Sequence, residues 1–425
     1  MAKNQTIFVN IASYRDPELL PTLKDCIAQA KYPERLRFGI CWQRHKDDEW
    51  DQLDEYLDDP RFTIDEVNAE KSKGACWARN RTQKLYKDED FLLQLDSHHR
   101  FVEHWDEKVI DMFNGLLEKG VKKPLLTSYI PDYFPEKDPV DRIQDCWYLC
   151  FDRFAPEGPL HTKPHLLEGW ETLDSPVPSR FLSAHFIFTF GIFNKEVPYD
   201  PSLYFHGEEI TMAVRAFTHG YDLYAPHRII AWHNYGRDKD VKHWADHDIS
   251  LADEVSYKRV RQLLGVGQPK CRPCQLRQLK PYVFGEERTI EQYEQFAGVH
   301  FGSKRLQQFT LDHHFPPNPV PADIVEYDQS LLNFQRFCVD VGRWVFPYHD
   351  YEFCVVSFED KEGKVIHRQD IDGAEVVRLL DLDIHDHFIH IWQDFYGDMP
   401  HQVVVWPFSK EHGWGERFVQ TYENR

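Results

Sequence analysis

Apolar stretches of strand length and segments of helical spacing take turns through the first 115 residues, the pattern of a parallel sheet with crossover helices. Ile7-Phe-Val-Asn-Ile-Ala12 reads as a buried strand, broken at Ser13-Tyr-Arg-Asp-Pro17, and Glu18 to Ala30 then sets Leu19, Leu20, Leu23 and Ile27 at helical intervals. Leu36 to Trp42 and Phe62 to Val67 read as the next strands, with an amphipathic helix over Trp50 to Leu57 between them. Gly74 to Tyr86 reads as a helix and Phe91-Leu-Leu-Gln-Leu95 as the fourth strand, ending in Asp96-Ser97-His98-His99. In an open sheet of this kind a ligand lies beyond the carboxyl ends of the strands, so this acidic and imidazole-rich turn stands where a site belongs.

The rest of the chain divides by texture. Leu125 to Ile130 and Phe186 to Phe190 read as further strands, separated by a loop-rich stretch, 131–180, long enough to serve as a lid or acceptor groove. Glu208 to His219 reads as a helix, Leu223-Tyr224 and Ile229 to Trp232 as short strands, and His243 to Leu264 as one charged helix. Phe315-Pro-Pro-Asn-Pro-Val-Pro321 reads as a linker, since clustered prolines cannot continue a helix. Beyond it, strand-like segments at regular spacing, with a turn at Glu362-Gly363, predict an all-β sandwich of about 100 residues whose core holds Trp344, Trp392, Trp406 and Trp414. The fold class expected is therefore α/β, with domains over 1–318 and 319–425.

Composition narrows the function classes. Seventy Asp+Glu against fifty Lys+Arg give a formal charge of -20, which disfavours nucleic acid or an anionic membrane as partner and leaves room only for a small phosphate site. The thirty Phe, twenty Tyr and twelve Trp supply enough apolar surface to order the chain. No export signal or membrane-length apolar run is visible, and the nine scattered cysteines read as reduced core residues, so a cytoplasmic protein is expected. Cys271-Arg-Pro-Cys274 reads as a Pro-centred turn, because a zinc ribbon needs a second pair. Asp383-Ile-His-Asp-His387 reads as a surface loop.

Four segments could carry chemistry. Residues i and i+2 of an extended segment point the same way, so Asp96 and His98 can chelate one cation, and a carboxylate with an imidazole suits Mn²⁺ better than Ca²⁺. His206-Gly-Glu-Glu209 opens a helix, where Glu208 and Glu209 either cap it or face a sugar; spacing lets only one of the two face a site. In Ile230 to Arg237 a strand-end His233 could return to the metal and Arg237 could pair with phosphate. Arg79 and Arg81 sit on the helix entering the same sheet edge, either near a ligand or on a solvated face.

Taken in order, Ile11-Ala-Ser-Tyr-Arg-Asp16, Cys41-Trp-Gln43, Gly74-Ala-Cys-Trp-Ala-Arg-Asn80, Gln94-Leu-Asp-Ser-His98, Phe205-His-Gly-Glu-Glu209, His219-Gly-Tyr-Asp222, His233-Asn-Tyr-Gly-Arg237 and Gly285-Glu-Glu-Arg288 resemble the GlcNAc-type glycosyltransferases related to cytoplasmic polypeptide hydroxyproline N-acetylglucosaminyltransferases. The resemblance covers about 300 residues and omits the C-terminal sandwich. It implies a GT-A fold and metal-dependent transfer of a sugar, GlcNAc above all, from a UDP-sugar to a hydroxyl of a peptide, protein or glycan acceptor, with retention. It further implies that Asp96, His98 and His233 hold Mn²⁺ or Mg²⁺. Ala12, Ser13, Tyr14, Arg15, Asp16 and Gln43 would line the uridine pocket, Arg79, Ser97, Tyr235 and Arg237 would lie by the donor, and Glu208 or Glu209 would serve the sugar or acceptor. In a retaining transfer a phosphate oxygen of the leaving group can take the acceptor proton, so no protein base is mandatory. The competing readings are a metal-dependent hydrolase built on the same Asp/His cluster and a non-catalytic carbohydrate-binding protein.

Overall fold

The computed structural model describes residues 5–155, 157–237, 240–266, 276–319, 323–381 and 387–422. The chain divides into two compact units, Met1–Asp328 and Gln329–Arg425. Cys271 to Cys274 and most of the Asp383 to His387 segment lie outside the described residues.

The first unit is built on an eight-stranded sheet. Its strands are β1 (Ile7–Tyr14), β2 (Leu36–Arg44), β3 (Phe62–Asn68), β4 (Phe91–Leu95), β6 (Pro124–Thr127), β9 (Val177–Pro178), β10 (Phe186–Phe190) and β11 (Asp222–Ala225), in the order β3-β2-β1-β4-β10-β6-β11-β9. β3, β2, β1 and β4 run parallel, and β10 runs antiparallel between β4 and β6. Alternation along β1 shows why the segment is a strand with two buried faces. Ile7, Val9 and Ile11 join the core that helices α1 (Leu19–Gln29) and α3 (Trp105–Glu118) cover, while Asn10 on the other face accepts a hydrogen bond from Thr82 Oγ1 of α2 (Ala75–Gln83) at 2.5 Å. Phe91, Phe113, Phe188 and Phe190 interlock between sheet and α3 with centroids 4.9 to 6.4 Å apart, so a Phe→Ala change there would cost about 3–5 kcal/mol. Because Tyr14 of β1 pairs with Gln43 of β2, and Ile11 with Leu95 of β4, the carboxyl ends of the three strands meet at one edge.

Several expectations change. Trp50 to Leu57 is not a helix beyond a short turn at Asp54–Tyr56, because Asp51 is drawn inward to accept from Trp42 Nε1 at 2.7 Å and Asp48 is taken by Arg15. The 131–180 stretch is not structureless: β7 (Trp147–Phe154) and β8 (Leu160–Leu166) form an antiparallel hairpin. The helix expected over His243 to Leu264 is two, α6 (His243–Asp246) and α7 (Ser250–Leu264), since Asp248 accepts from the backbone N–H of Ser250 and starts the helix afresh. The proline-rich stretch is packed rather than free. Asn318 is buried, accepting from Arg180 Nη2 and donating to Gln307 and Thr310, and Phe315 meets the Tyr148 ring at 4.9 Å.

In the second unit, strand Phe334–Gly342 pairs with Phe388–Tyr396, and Val365–Asp372, Tyr351–Glu359, Gln402–Ser409, Gly413–Trp414 and Phe418–Thr421 form an antiparallel sheet. Val339, Val341, Val356, Phe358, Ile389, Ile391, Val403 and Val405 fill its core. It is not all-β: Gly373–Asp381 is a helix, capped by Asp372 accepting from the Ala374 N–H at 2.8 Å and packing Val376 and Leu380 inward. Nor do the tryptophans form the core. Trp344, Trp392 and Trp414 are 63%, 61% and 46% exposed, because the inward positions of strand Phe388–Tyr396 are Ile389 and Ile391 and Trp392 lies on the other face.

Candidate active site

At the carboxyl edge, β4 ends and the chain turns through Asp96-Ser97-His98 into β5 (His99–Phe101), which pairs antiparallel with β12 (Ala231–His233), His99 opposite His233. That small ribbon is what carries a residue from the far end of the unit back to the turn. His233 Nε2 lies 3.4 Å from Asp96 Oδ2 and His98 Nε2 lies 3.8 Å from it, and one donor atom from each of the three falls within 4.8 Å of the others.

The surroundings fix these donors. Asp16, 1% exposed, accepts from Ser97 Oγ at 2.5 Å and pairs with His98 Nδ1 at 2.7 Å and Arg237 Nη2 at 3.1 Å. With Nδ1 committed to that carboxylate, Nε2 of His98 is the nitrogen left facing Asp96. Arg79 on α2 bridges Asp96 at 2.6 Å and Glu208 at 2.8 Å, with its side chain 6% exposed. Burial would raise the Asp96 carboxyl, but the Arg79 guanidinium, with His233 and His98, holds it well below the usual carboxylate range. Burial also keeps the His233, His99 and His185 imidazoles neutral. A carboxylate oxygen and imidazole nitrogens are the donor set of a borderline divalent cation, so these three residues fit Mn²⁺.

Two cavities meet here, sharing Arg79, Asp96 and Phe205. The first, of about 260 Å³, is bordered by Ala12, Tyr14, Asp16, Gln43, Ser97, His98 and Arg237, with Tyr204 and Lys242 to Trp244 on the facing side. Of the residues expected to line it, Ser13 and Arg15 do not. Alternation on β1 turns Ala12 and Tyr14 toward the cavity and Ser13 away, and Arg15 instead pairs with Asp48 at 2.7 Å and Asp246 at 2.9 Å. Asp16 borders it, yet its Oδ2 is turned to His98, Ser97 and Arg237 and its Oδ1 accepts from the Glu18 N–H at 2.9 Å.

The second cavity, of about 360 Å³, is bordered by Tyr129, Leu160 to Thr162, His185, His206, Glu208, Glu209, His233 and Tyr235. Tyr235 belongs here and not with the first: its hydroxyl donates to the Ile130 carbonyl at 2.9 Å and meets His185 Nε2 at 3.2 Å. Both glutamates border it, against the expectation of one. The whole first turn of α5 (Glu208–Thr218) faces the cavity, so side chains on either side of its axis reach the rim. Glu208 pairs with Arg79 and accepts from the Cys76 thiol at 2.9 Å, whereas Glu209 accepts from Tyr129 Oη and the Ala184 N–H, each at 2.9 Å. Burial, reinforced by Glu208, pushes the Glu209 carboxyl up to about 7 despite those two donors. Sequence reasoning missed Tyr129, His185, Tyr204 and His243: Tyr129 stood in an expected strand and His243 opened an expected helix, and no local pattern marked any of the four as facing a cavity.

A family model described as Glycosyltransferase (GlcNAc) matches residues 6–60 and 50–303, well over half of the chain. The chain belongs to this GlcNAc glycosyltransferase family. Among solved structures, GalNAc-T7 with UDP, GalNAc and Mn²⁺ is similar over 100% of this chain and 73% of that chain, at 14% identity and a TM-score of 0.52. With the sheet order, that likeness gives the α/β GT-A fold. S. aureus TarS in complex with UDP-GlcNAc matches over 60% of this chain and 65% of that chain at 13% identity, with a TM-score of 0.37, too distant to bear on the fold. A search of curated proteins finds no match.

Proposed function

We propose that the protein transfers a sugar, N-acetylglucosamine in keeping with its family, from a UDP-sugar to a hydroxyl of a peptide, protein or glycan, with a divalent cation held by Asp96, His98 and His233. The observation that carries this reading is the convergence of those three donors at the junction of two cavities, with Arg79 and Arg237 beside them. The GalNAc-T7 structure, of the same fold, holds UDP, GalNAc and Mn²⁺, ligands of the class proposed here.

A bound cation supplies charge that offsets the negative charge growing on the leaving diphosphate. The protein's own residues do the rest. Ala12, Tyr14 and Gln43 border the space for uridine, and Arg237 adds a fixed positive charge on the diphosphate side. Glu208 holds Arg79 against Asp96, so the guanidinium is oriented from two sides. Glu209, Tyr129, His206 and Tyr235 line the second cavity, which suits the sugar and the acceptor hydroxyl. With a carboxyl that titrates near neutrality, Glu209 can accept or donate a hydrogen bond there. Retention fits a site where the leaving phosphate itself takes the acceptor proton. The seven described cysteines form no disulfide, in keeping with the reducing, cytoplasmic setting proposed. No helix among the described residues is long and apolar enough to cross a membrane.

Calorimetric titration with UDP, with and without Mn²⁺, tests the reading, together with free-UDP release from a panel of UDP-sugars. Wild-type protein is expected to bind UDP only weakly without the ion, and Asp96→Ala to lose the Mn²⁺ enhancement and the release activity. Mn²⁺-independent UDP binding, or turnover of substrates that contain no UDP, would overturn it, the second outcome favouring a hydrolase.

A further inference from the structure

In the second unit, Asp340 on strand Phe334–Gly342 lies directly opposite His390 on strand Phe388–Tyr396. Cys338 and Asp340, two residues apart, share the outward face, while Val339 and Val341 between and beyond them enter the core. Cys338 Sγ lies 3.3 Å from Asp340 Oδ1, His390 Nδ1 lies 2.8 Å from the same oxygen, and one donor atom from each of the three falls within 4.8 Å of the others. We propose that Cys338, Asp340 and His390 bind a zinc-class divalent cation, at a site built from none of the residues assigned to sugar transfer.

The geometry supports this on three grounds. Ligands at roughly 2.0–2.3 Å around a tetrahedral ion are separated by about 3.3–3.8 Å; the Cys338–Asp340 separation of 3.3 Å meets that spacing, the His390–Asp340 separation of 2.8 Å needs to open by about 0.5 Å, and Cys338 and His390 stand within 4.8 Å of each other. The chemistry is selective: a thiolate, an imidazole and a carboxylate together favour Zn²⁺ or Co²⁺ over the oxygen-seeking Mg²⁺ and Ca²⁺. The frame is also rigid, because the nine-pair antiparallel ladder sets the backbone and the Arg336–Asp394 pair, doubly hydrogen-bonded at 2.6 and 2.7 Å, braces the same face. A cross-strand Asp–His pair would account for two of the groups. It does not account for a thiol aimed at the same oxygen, since a thiol is a weak donor that adds little there. Three protein ligands leave a fourth position for water or an incoming group, as in zinc sites that are not purely structural.

Cobalt reads this site selectively, because thiolate ligation produces a near-ultraviolet charge-transfer band and Asp96, His98 and His233 contain no sulfur. Full-length protein stripped with a chelator is titrated with Co²⁺. A saturable thiolate band is expected, displaced by Zn²⁺, unchanged in Asp96→Ala and in a Cys271→Ser/Cys274→Ser double variant, lost in Cys338→Ser and weakened in His390→Gln. The His390→Gln arm keeps the thiol in place, so the test survives a folding defect in Cys338→Ser. Absence of a saturable band, its persistence in Cys338→Ser, its indifference to His390→Gln, or its loss in the double variant would each overturn the proposal.

Discussion

Asp16 has four partners, the side chains of Ser97, His98 and Arg237 and the backbone N–H of Glu18, and almost no solvent. Burial would raise its carboxyl, but His98, Arg237 and Ser97 together hold it below the usual carboxylate range. In the cation site proposed for Asp96, His98 and His233, Asp16 fixes the His98 ring through Nδ1, and removing such a partner of a ligand costs about 10–100-fold in metal affinity. Asp16→Asn is accordingly expected to weaken Mn²⁺-dependent UDP binding by that factor, about 1.4–2.8 kcal/mol, while circular dichroism shows an intact fold. Unchanged Mn²⁺ affinity by calorimetry would remove Asp16 from the site. Glu209 gives a second prediction, on pH. Its carboxyl is mostly neutral below about 7 and charged above, so Glu209→Gln mimics the wild type on the acid side only. The UDP-release rates of the two proteins are expected to agree near pH 6 and to diverge by pH 8; a constant ratio across that range would show that the charge of Glu209 plays no part. The sequence made Asp96, His98 and His233 visible as residue types at strand ends. The Asp16–His98 contact was hidden, because it joins positions 82 apart and no local pattern records it.

At the scale of elements, the alternation of strands and helices was legible because periods of 2 and 3.6 are local properties of the chain. What escaped is equally physical. β5 is three residues, too short to show a period, and the strand expected over Ile229 to Trp232 carried no sign of its partner, yet the pairing of β5 with β12 brings His233 to the turn. The helix Gly373–Asp381 left a usable signal in Asp372 as cap and in the spacing of Val376 and Leu380, overshadowed by strands on either side. Helix α2, which carries Arg79, starts at Gly74 with φ +102° and ψ -178°, a conformation nearly reserved for glycine. A Cβ there would lie 2.5 Å from the Tyr204 ring, whose hydroxyl meets His243 Nδ1 at 2.8 Å beside the first cavity. Gly74→Ala should cost about 1–3 kcal/mol in backbone strain and about as much again in displacing the ring. A lower urea midpoint and weaker UDP binding are both expected. An unchanged midpoint would mean that the turn does not need glycine.

The whole molecule sets two long-range effects against each other as pH falls. With a formal charge of -20 at pH 7 and an isoelectric point near 5.6, acidification relieves self-repulsion and on that count stabilises the fold. Against it stand histidines that the fold keeps neutral. His227 is 3% exposed, with neither ring nitrogen hydrogen-bonded among the described residues, and burial, aided by Arg228 and Lys119, lowers it to about 4; burial and His247 lower His243 to about 4 as well. A depressed folded-state value means that the stability is present above the unfolded value of about 6.5 and is lost as pH drops from there toward 4, where the unfolded chain binds protons that the folded chain refuses. Each such group contributes a slope of up to about 1.4 kcal/mol per pH unit. At 0.15 M salt, charges more than about 8 Å apart are largely screened, so the scattered surface repulsion is the weaker effect. Glu209 and Asp51, pushed up by burial to about 7 and about 6, bind protons in the folded state and act the other way, but the lowered His99, His185, His227, His233 and His243 outnumber them, so the histidines prevail. The urea midpoint is therefore expected to fall between pH 6.5 and 5 in physiological salt, and to fall less steeply in His227→Asn. A midpoint that climbs toward pH 5.6 would show that net charge, and not the buried imidazoles, governs the acid side of this protein's stability.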